Sequence, residues 1–379
     1  MPADPDLPAV FTRAEAIGAG LSRHQIAQRV RSGRWKTLRR GVYTVHERYA
    51  ALPAREQHLL SVIAVLITRG EGVLASHLSA AVVHGWALPL EGAGPATVTC
   101  GELDSPTRRT AAFVVQVASL APADCTTVAV RAAEARWELR ATSRARTVAD
   151  VLRHLTTPDG VAVGDSALRE GRVRHDQVAS VLERQATWPF VERGRKGLML
   201  LDPRRETWLE SYSFVRLHQL GLVMPEPQVS LFDRHGTFVA RVDGWLDDEA
   251  VALEADGREK YFLRAAPLPA DADLAAEELL GRARRVVVEE KTREDRLRDL
   301  GVQVARWGTN DITRHPKDVL ARIGAARTRG DRARFTGRTA YLPRPSWLAP
   351  PPRSLLSSGR FAQSGPLLTP EMAGGTGSV

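Results

Sequence analysis

The spacing of apolar positions changes several times along the chain, and each change marks an element. Thr12 with Glu15, and Ser22 with Gln25, have the three-residue spacing of capping boxes. Two short helices are therefore expected, one ending near Ala19 and one over 23–32. Gly20-Leu21 gives the turn between them, and Gly33 a left-handed stop. Ile26 and Val30, four apart, set the inner face of the second helix. Arg23, His24, Gln28, Arg29 and Arg31 are left outward. The run from Arg34 to Val45 then reads as a hairpin turning at Arg40-Gly41, carrying Lys36, Arg39 and Arg40. A helix-turn-helix followed by a basic hairpin predicts a winged helix.

The middle of the chain has weaker periodicity. Leu59 to Thr68 reads as an apolar helix, and Ser76 as a cap on a helix from His77 to His84 that Gly85 stops. Pro95–Cys100 and Ala112–Ala118 read as strands. Ser143–Leu155, Val161–Glu170 and His175–Gln185 read as helices, with Thr147 and Asp150 spaced like a cap pair. His77 and His84 are seven apart, which is not the spacing of a helical metal pair. No chemistry is assigned to this region.

From Glu206 the pattern sharpens. Leu209, Phe214, Leu217 and Leu220 stripe an amphipathic helix that Gly221 ends. Pro225-Glu-Pro227 leads into a strand over 228–232, and Arg234-His-Gly236 turns the chain. Two alternating runs follow, Thr237–Trp245 and Ala250–Asp256, joined by Asp247-Asp248-Glu249. A hairpin centred there pairs residues whose numbers sum to 497 and sets Asp243 opposite Glu254. Asp256, two residues on, shares the face of Glu254. Like charges facing across a strand pair are destabilising. A hard divalent cation with oxygen ligands is the simplest neutraliser. Each acid also has a plainer reading: a surface ion pair for Asp243 with Arg241 or Arg306, an exposed strand position for Glu254, and a turn signal at Asp256-Gly257. A helical tract from about Asp273 to Leu300, a Gly301 stop and a strand over Val302–Trp307 complete a small α/β core. Beyond Arg327 the basic, then Pro- and Gly-rich composition predicts a disordered tail.

Composition adds direction. The 379-residue chain carries a net charge of +9, mostly through Arg, whose planar fork suits phosphate. Eight of those basic residues, against the single acid Glu15, lie within 11–45. Nucleic acid, most simply double-stranded DNA, is the expected partner. The two cysteines exclude a disulfide framework and a Cys-based zinc site. The N-terminal Met-Pro-Ala-Asp-Pro-Asp lacks the pattern of a secretory signal, and the longest apolar run, Leu59–Ile67, is too short to span a bilayer. A cytoplasmic, non-membrane protein is expected.

Two resemblances extend the reading. Phe11-Thr-Arg-Ala-Glu-Ala, Gly20-Leu-Ser-Arg, Gly33-Arg-Trp and Arg40-Gly-Val-Tyr43 resemble the N-terminal domain of abortive-infection, type IV toxin-antitoxin antitoxins. That resemblance implies operator binding, repression and a cognate toxin protein as a further partner. Stretches 76–85 and 140–150 are similar to the linking region of such proteins. Residues 206–312 resemble the PD-(D/E)XK nuclease superfamily, in particular its very-short-patch-repair-like branch. This implies that Asp243 and Glu254, joined by Asp256, hold Mg²⁺ or Mn²⁺, with Glu210 as the helix acid. The motif's Lys, two residues after the strand Glu, is here Asp256, so the cationic role passes to Lys260 or Lys291. The fold class expected is multi-domain α/β: a winged helix-turn-helix over 1–48, a mixed α/β region over 49–200, a restriction-endonuclease-like α/β core over 201–325 and a disordered tail over 326–379. The function expected is DNA binding joined to metal-dependent phosphodiester hydrolysis, with phage defence as its biological setting. The alternative is a non-catalytic, antitoxin-like repressor with a degenerate nuclease fold.

Overall fold

The computed structural model describes residues 6–86, 94–101, 108–111, 113–256 and 292–348. Lys260, Lys291, Gly257, most of the 273–300 tract and the chain beyond 348 lie outside these residues.

The first unit runs β1 (Phe11–Thr12), α1 (Arg13–Gly18), α2 (Arg23–Arg31), β2 (Trp35–Arg39) and β3 (Val42–Val45), with strand order β1-β3-β2. Both capping boxes form as the spacing predicts. Gly33 and Gly41 take positive φ at the helix stop and the hairpin turn. Phe11, Ala16, Leu21, Ile26, Trp35 and Tyr43 make its core. The layout is that of a winged helix.

The helices α3 (His46–Ala51) and α4 (Ala54–Arg69) lead into the second unit. Its strands are β4 (Val73–Ala75), β5 (Ala96–Cys100), β6 (Arg108–Arg109), β7 (Phe113–Val117), β8 (Cys125–Ala132) and β9 (Ala135–Thr142), in the order β6-β7-β5-β4-β9-β8. α4 and α5 (His77–His84) belong to the core on this sheet, and α6 (Arg144–His154), α7 (Thr157–Arg169), α8 (His175–Arg184) and α9 (Val191–Met199) form a helical core beside it. Strands β8 and β9 go beyond the expected elements, although Thr127, Ala129 and Arg131 alternate with less exposed neighbours; the turn Ala133-Glu134 that joins them carries no Gly or Asn to mark a hairpin. Thr147 and Asp150 do not cap a helix; both are buried inside α6. Ser76 is the N-cap residue of α5 but makes no side-chain cap bond, since its hydroxyl meets His77 Nδ1 at 3.0 Å.

The buried charges of α6 tie this unit together. Asp150 accepts from Arg146 Nε at 2.9 Å, Arg153 Nη2 at 2.8 Å and Gln185 Nε2 at 3.3 Å. Asp124 accepts from Arg146 Nη1 at 3.0 Å and Arg184 Nη2 at 2.8 Å. The guanidiniums of Arg146 and Arg153 lie over the Trp188 ring. Opposite charges therefore alternate through a mostly buried junction of α6, α8 and the segment before β8.

The third unit holds α10 (Trp208–Gln219), β10 (Glu226–Phe232), β11 (Phe238–Leu246), β12 (Val251–Ala255), α11 (292–299), β13 (Gln303–Trp307), α12 (Thr309–Arg314), α13 (Pro316–Arg329) and β14 (Arg338–Ala340). Strand order is β13-β12-β11-β10-β14, with only the β12–β13 pair parallel. Leu209, Phe214 and Leu217 are buried as the stripe predicts, but Leu220 is the half-exposed C-cap. The expectation of disorder from Arg327 is corrected over the described part of the tail. α13 continues to Arg329, and β14 pairs with β10 at the sheet edge. Trp347 then stacks on His175 at 4.7 Å and donates to the Leu201 carbonyl at 3.1 Å, strapping this segment to the helical unit. Composition alone missed this because the contacts that order the segment come from distant parts of the chain.

Candidate functional site

Five elements of the third unit converge on one acidic cluster. The hairpin register is the expected one: Gly244 pairs with Leu253 and Leu246 with Val251. Asp243 precedes Gly244, and its carboxylate accepts the Ala255 N–H at 2.9 Å. Glu210 enters from the first turn of α10. Its N–H bonds the Thr207 hydroxyl, while its carboxylate accepts from the Glu206 N–H at 2.9 Å, Thr207 Oγ1 at 2.8 Å and Gln228 Nε2 at 2.8 Å. Gln228, on β10, also bonds Asp243. Arg293, at the start of described α11, donates to Glu254 Oε1 at 2.6 Å and to the Arg241 carbonyl at 3.0 Å.

Gln228 and Arg293 are the members that sequence reasoning missed as site residues. Gln228 sits inside a strand with φ +56°, an uncommon conformation for a non-glycine residue that costs on the order of 1 kcal/mol. The buried amide bridging Glu210 and Asp243 is what that conformation positions. Nothing in the sequence around Pro225-Glu-Pro227-Gln228 marks this backbone.

The electrostatics follow from the packing. Burial and the neighbouring Glu210 carboxylate push Asp243 up to about 7, against the Ala255 N–H, the Arg293 charge and the Gln228 amide. The nearby positive charge therefore falls short of what an ionised Asp243 needs. Oxygen donors at Asp243 and Glu254 suit a hard divalent cation. The expected three-ligand set does not form. Among the described residues no group of three or more His, Cys, Asp or Glu side chains is arranged to hold a metal ion. Asp256 lies one residue past β12, where its N–H bonds the Trp307 carbonyl, and the Glu210 oxygens are engaged in capping α10. Of the plainer pairings, Arg241 takes Glu206 at 2.8 Å, and Arg306 meets Glu294 at 3.5 Å.

The winged helix presents a second surface. His24, Gln28 and Arg31 are exposed on α2 at i, i+4 and i+7, with Ala27 between and Arg23 beside them. Arg40 is exposed at the hairpin turn. One expected outward residue is corrected, and two others make ring contacts. Arg29 is 1% exposed and packs its guanidinium over Trp35, because its position faces β2. Lys36 lies over the Tyr49 ring at 4.7 Å, and Arg39 over Phe113 at 4.4 Å. The hairpin strand is thus partly committed to the body of the protein.

Comparison with known proteins bears on these surfaces. Residues 7–46 match the family described as "Transcriptional regulator, AbiEi antitoxin". The N-terminal region is thereby similar to DNA-binding regulators. Two Mycobacterium tuberculosis proteins, Rv2248 (strain ATCC 25618 / H37Rv) and MT2308 (strain CDC 1551 / Oshkosh), both described as uncharacterized, are each 28% identical over 197 residues. The match takes in 52% of this chain and 64% of each relative, less than two thirds of their length. The crystal structure of the RV2827C protein from Mycobacterium tuberculosis is similar with a TM-score of 0.33 and 14% identity, over 51% of this chain and 76% of that one. No helix among the described residues is long and apolar enough to cross a membrane.

Proposed function

We propose that this protein is a DNA-binding regulator whose C-terminal unit hydrolyses phosphodiester bonds with a divalent cation. The observation that carries the reading is the convergence of Glu210, Gln228, Asp243, Glu254 and Arg293 from five elements. The order of helix, three antiparallel strands, helix and parallel strand supports it, because that order frames the resemblance to PD-(D/E)XK nucleases.

Asp243 and Glu254 would hold the cation. A bound Mg²⁺ or Mn²⁺ supplies Lewis acidity, lowering the pKa of a water and neutralising charge on the phosphate. Gln228 fixes the separation of Glu210 and Asp243, so that the acids are set before substrate arrives. Asp243 must lose its proton to become a ligand, which makes cation affinity rise with pH toward and past 7. The α2 stripe of His24, Gln28 and Arg31 would lie in a major groove, where Gln and Arg pair with base edges, and Arg23 and Arg40 would meet phosphates. A cytoplasmic location and a role beside a toxin protein are parts of the same proposal.

A second reading is a non-catalytic repressor that keeps the fold and not the chemistry. The Arg293–Glu254 pair and the Asp at 256 favour it. The test is a cleavage panel of double-stranded DNA, single-stranded DNA and RNA with Mg²⁺ or Mn²⁺. The nuclease reading expects cleavage that Asp243→Ala and Glu254→Ala abolish. Cleavage retained in both variants, or absent with every substrate and metal, sinks it.

A further inference from the structure

Among the described residues, the cation brought to the acidic cluster is Arg293. Position 256 carries Asp, and Lys260 and Lys291 lie outside the described residues. The group brought to the acids is the Arg293 guanidinium. Nη2 bonds Glu254 Oε1 at 2.6 Å and the Arg241 carbonyl at 3.0 Å, and its charge also reaches Asp243. The Glu254 side chain is 10% exposed, whereas that of Arg293 is 29% exposed. The acid is thus more enclosed than the cation.

A guanidinium can serve two partners in turn. It neutralises a carboxylate in the metal-free site, and its planar fork binds a phosphate equally well. We propose that Arg293 is the exchangeable counter-cation of this site. It holds Glu254 while no metal is bound, and swings its guanidinium to the DNA phosphate when Glu254 turns its oxygen to a divalent cation. Arg293 thus takes, from a helix, the role that the motif gives to a strand lysine at the position held here by Asp256. This inference rests on the hydrolytic reading for its second half only; competition for Glu254 stands apart from it.

A purely structural Arg293 would lower every activity together when removed. The exchange role moves two readouts in opposite directions. The full-length protein is titrated with Mn²⁺ alone by calorimetry at fixed pH, and DNA cleavage is measured separately, for wild type, Arg293→Gln and Arg293→Lys. Circular dichroism melts confirm that each variant is folded. Removing the competing charge should tighten Mn²⁺ binding of Arg293→Gln by about tenfold. Cleavage by the same variant should fall by about a hundredfold, with partial retention in Arg293→Lys. Unchanged or weaker Mn²⁺ binding in folded Arg293→Gln overturns the exchange. If wild type cleaves nothing, the hydrolytic reading fails, and the Mn²⁺ titration still decides whether Arg293 competes for Glu254. If Arg293→Gln does not fold, Arg293→Met, which also removes the charge, carries the same decision: tighter Mn²⁺ binding supports the proposal and unchanged binding overturns it.

Discussion

The backbone N–H of Ala255 donates to the carboxylate of Asp243 at 2.9 Å, across the seam between β11 and β12. One strand's acid is thus held by the next strand's main chain, one residue beyond Glu254. The contact fixes Asp243 in position but does not offset its burial beside Glu210, which leaves it titrating near 7.

The stability of the protein should carry this mark. Asp243 has a folded pKa raised above its ordinary 3.8, so the folded state binds its proton more tightly than the unfolded chain. The protonated form favours folding, and that stability is lost as pH rises from about 4 through about 7. Asp243→Asn should therefore be more stable than wild type at pH 8, by on the order of 1–3 kcal/mol, with the gap closing at pH 4. Only the difference is diagnostic. Asp165 is pushed by burial to the same range, and burial holds His58, His84 and His154 down near 4, titrating with the opposite sign. Urea unfolding of both proteins from pH 4 to 8 measures the gap; parallel curves contradict the assignment.

Arginines on α2 should separate into two kinds. Arg31→Ala removes an exposed base-reading contact, so it should weaken DNA binding and relax its sequence preference without shifting the melt. Arg29→Ala removes a buried guanidinium from Trp35 and should cost about 1–3 kcal/mol of stability. Melts and binding isotherms of the two variants check the split. A melt of Arg29→Ala identical to wild type speaks against its inward role.

Asp150 anchors the charged junction of the second unit. Asp150→Ala leaves Arg146 and Arg153 buried without their shared acceptor and should cost about 3–5 kcal/mol. Denaturant midpoints provide the measurement, and a loss under about 1 kcal/mol would show the network to be dispensable.

Gly244 follows Asp243 in β11 under the Phe214 ring. A Cβ there would meet Phe214 Cζ at 2.7 Å and Leu253 Cβ at 3.2 Å. Phe214 is fully buried and has no room to retreat, so Gly244→Ala should destabilise by about 1–3 kcal/mol. Thermal melting tests this directly; an unshifted melt would mean that β11 and Phe214 separate freely.

Legibility in the sequence followed the range of the interactions. The capping boxes at Thr12 and Ser22 act over three residues, and both formed. The register of the β11–β12 hairpin follows from its turn, and Gly244 pairs with Leu253 as counted. Arg29 failed as an outward residue because its burial depends on Trp35 across a turn. The ring contacts of Lys36 and Arg39 were not legible, because Tyr49 and Phe113 come from later elements. Arg293 fell inside the helical tract expected over 273–300, but its contact with Glu254 spans 39 positions. Gln228 left no sign at all, since its positive φ belongs to a residue type that rarely adopts it.

The central claim is that Asp243 and Glu254 form a cation-dependent hydrolytic centre. The most direct measurement is the rate at which the full-length protein nicks plasmid DNA with added Mn²⁺, compared with Glu254→Gln, which keeps the size of the side chain and removes its charge. The account predicts nicking that requires Mn²⁺ and falls by at least about a hundredfold in Glu254→Gln. Equal rates in the two proteins, or no nicking by wild type, would contradict it.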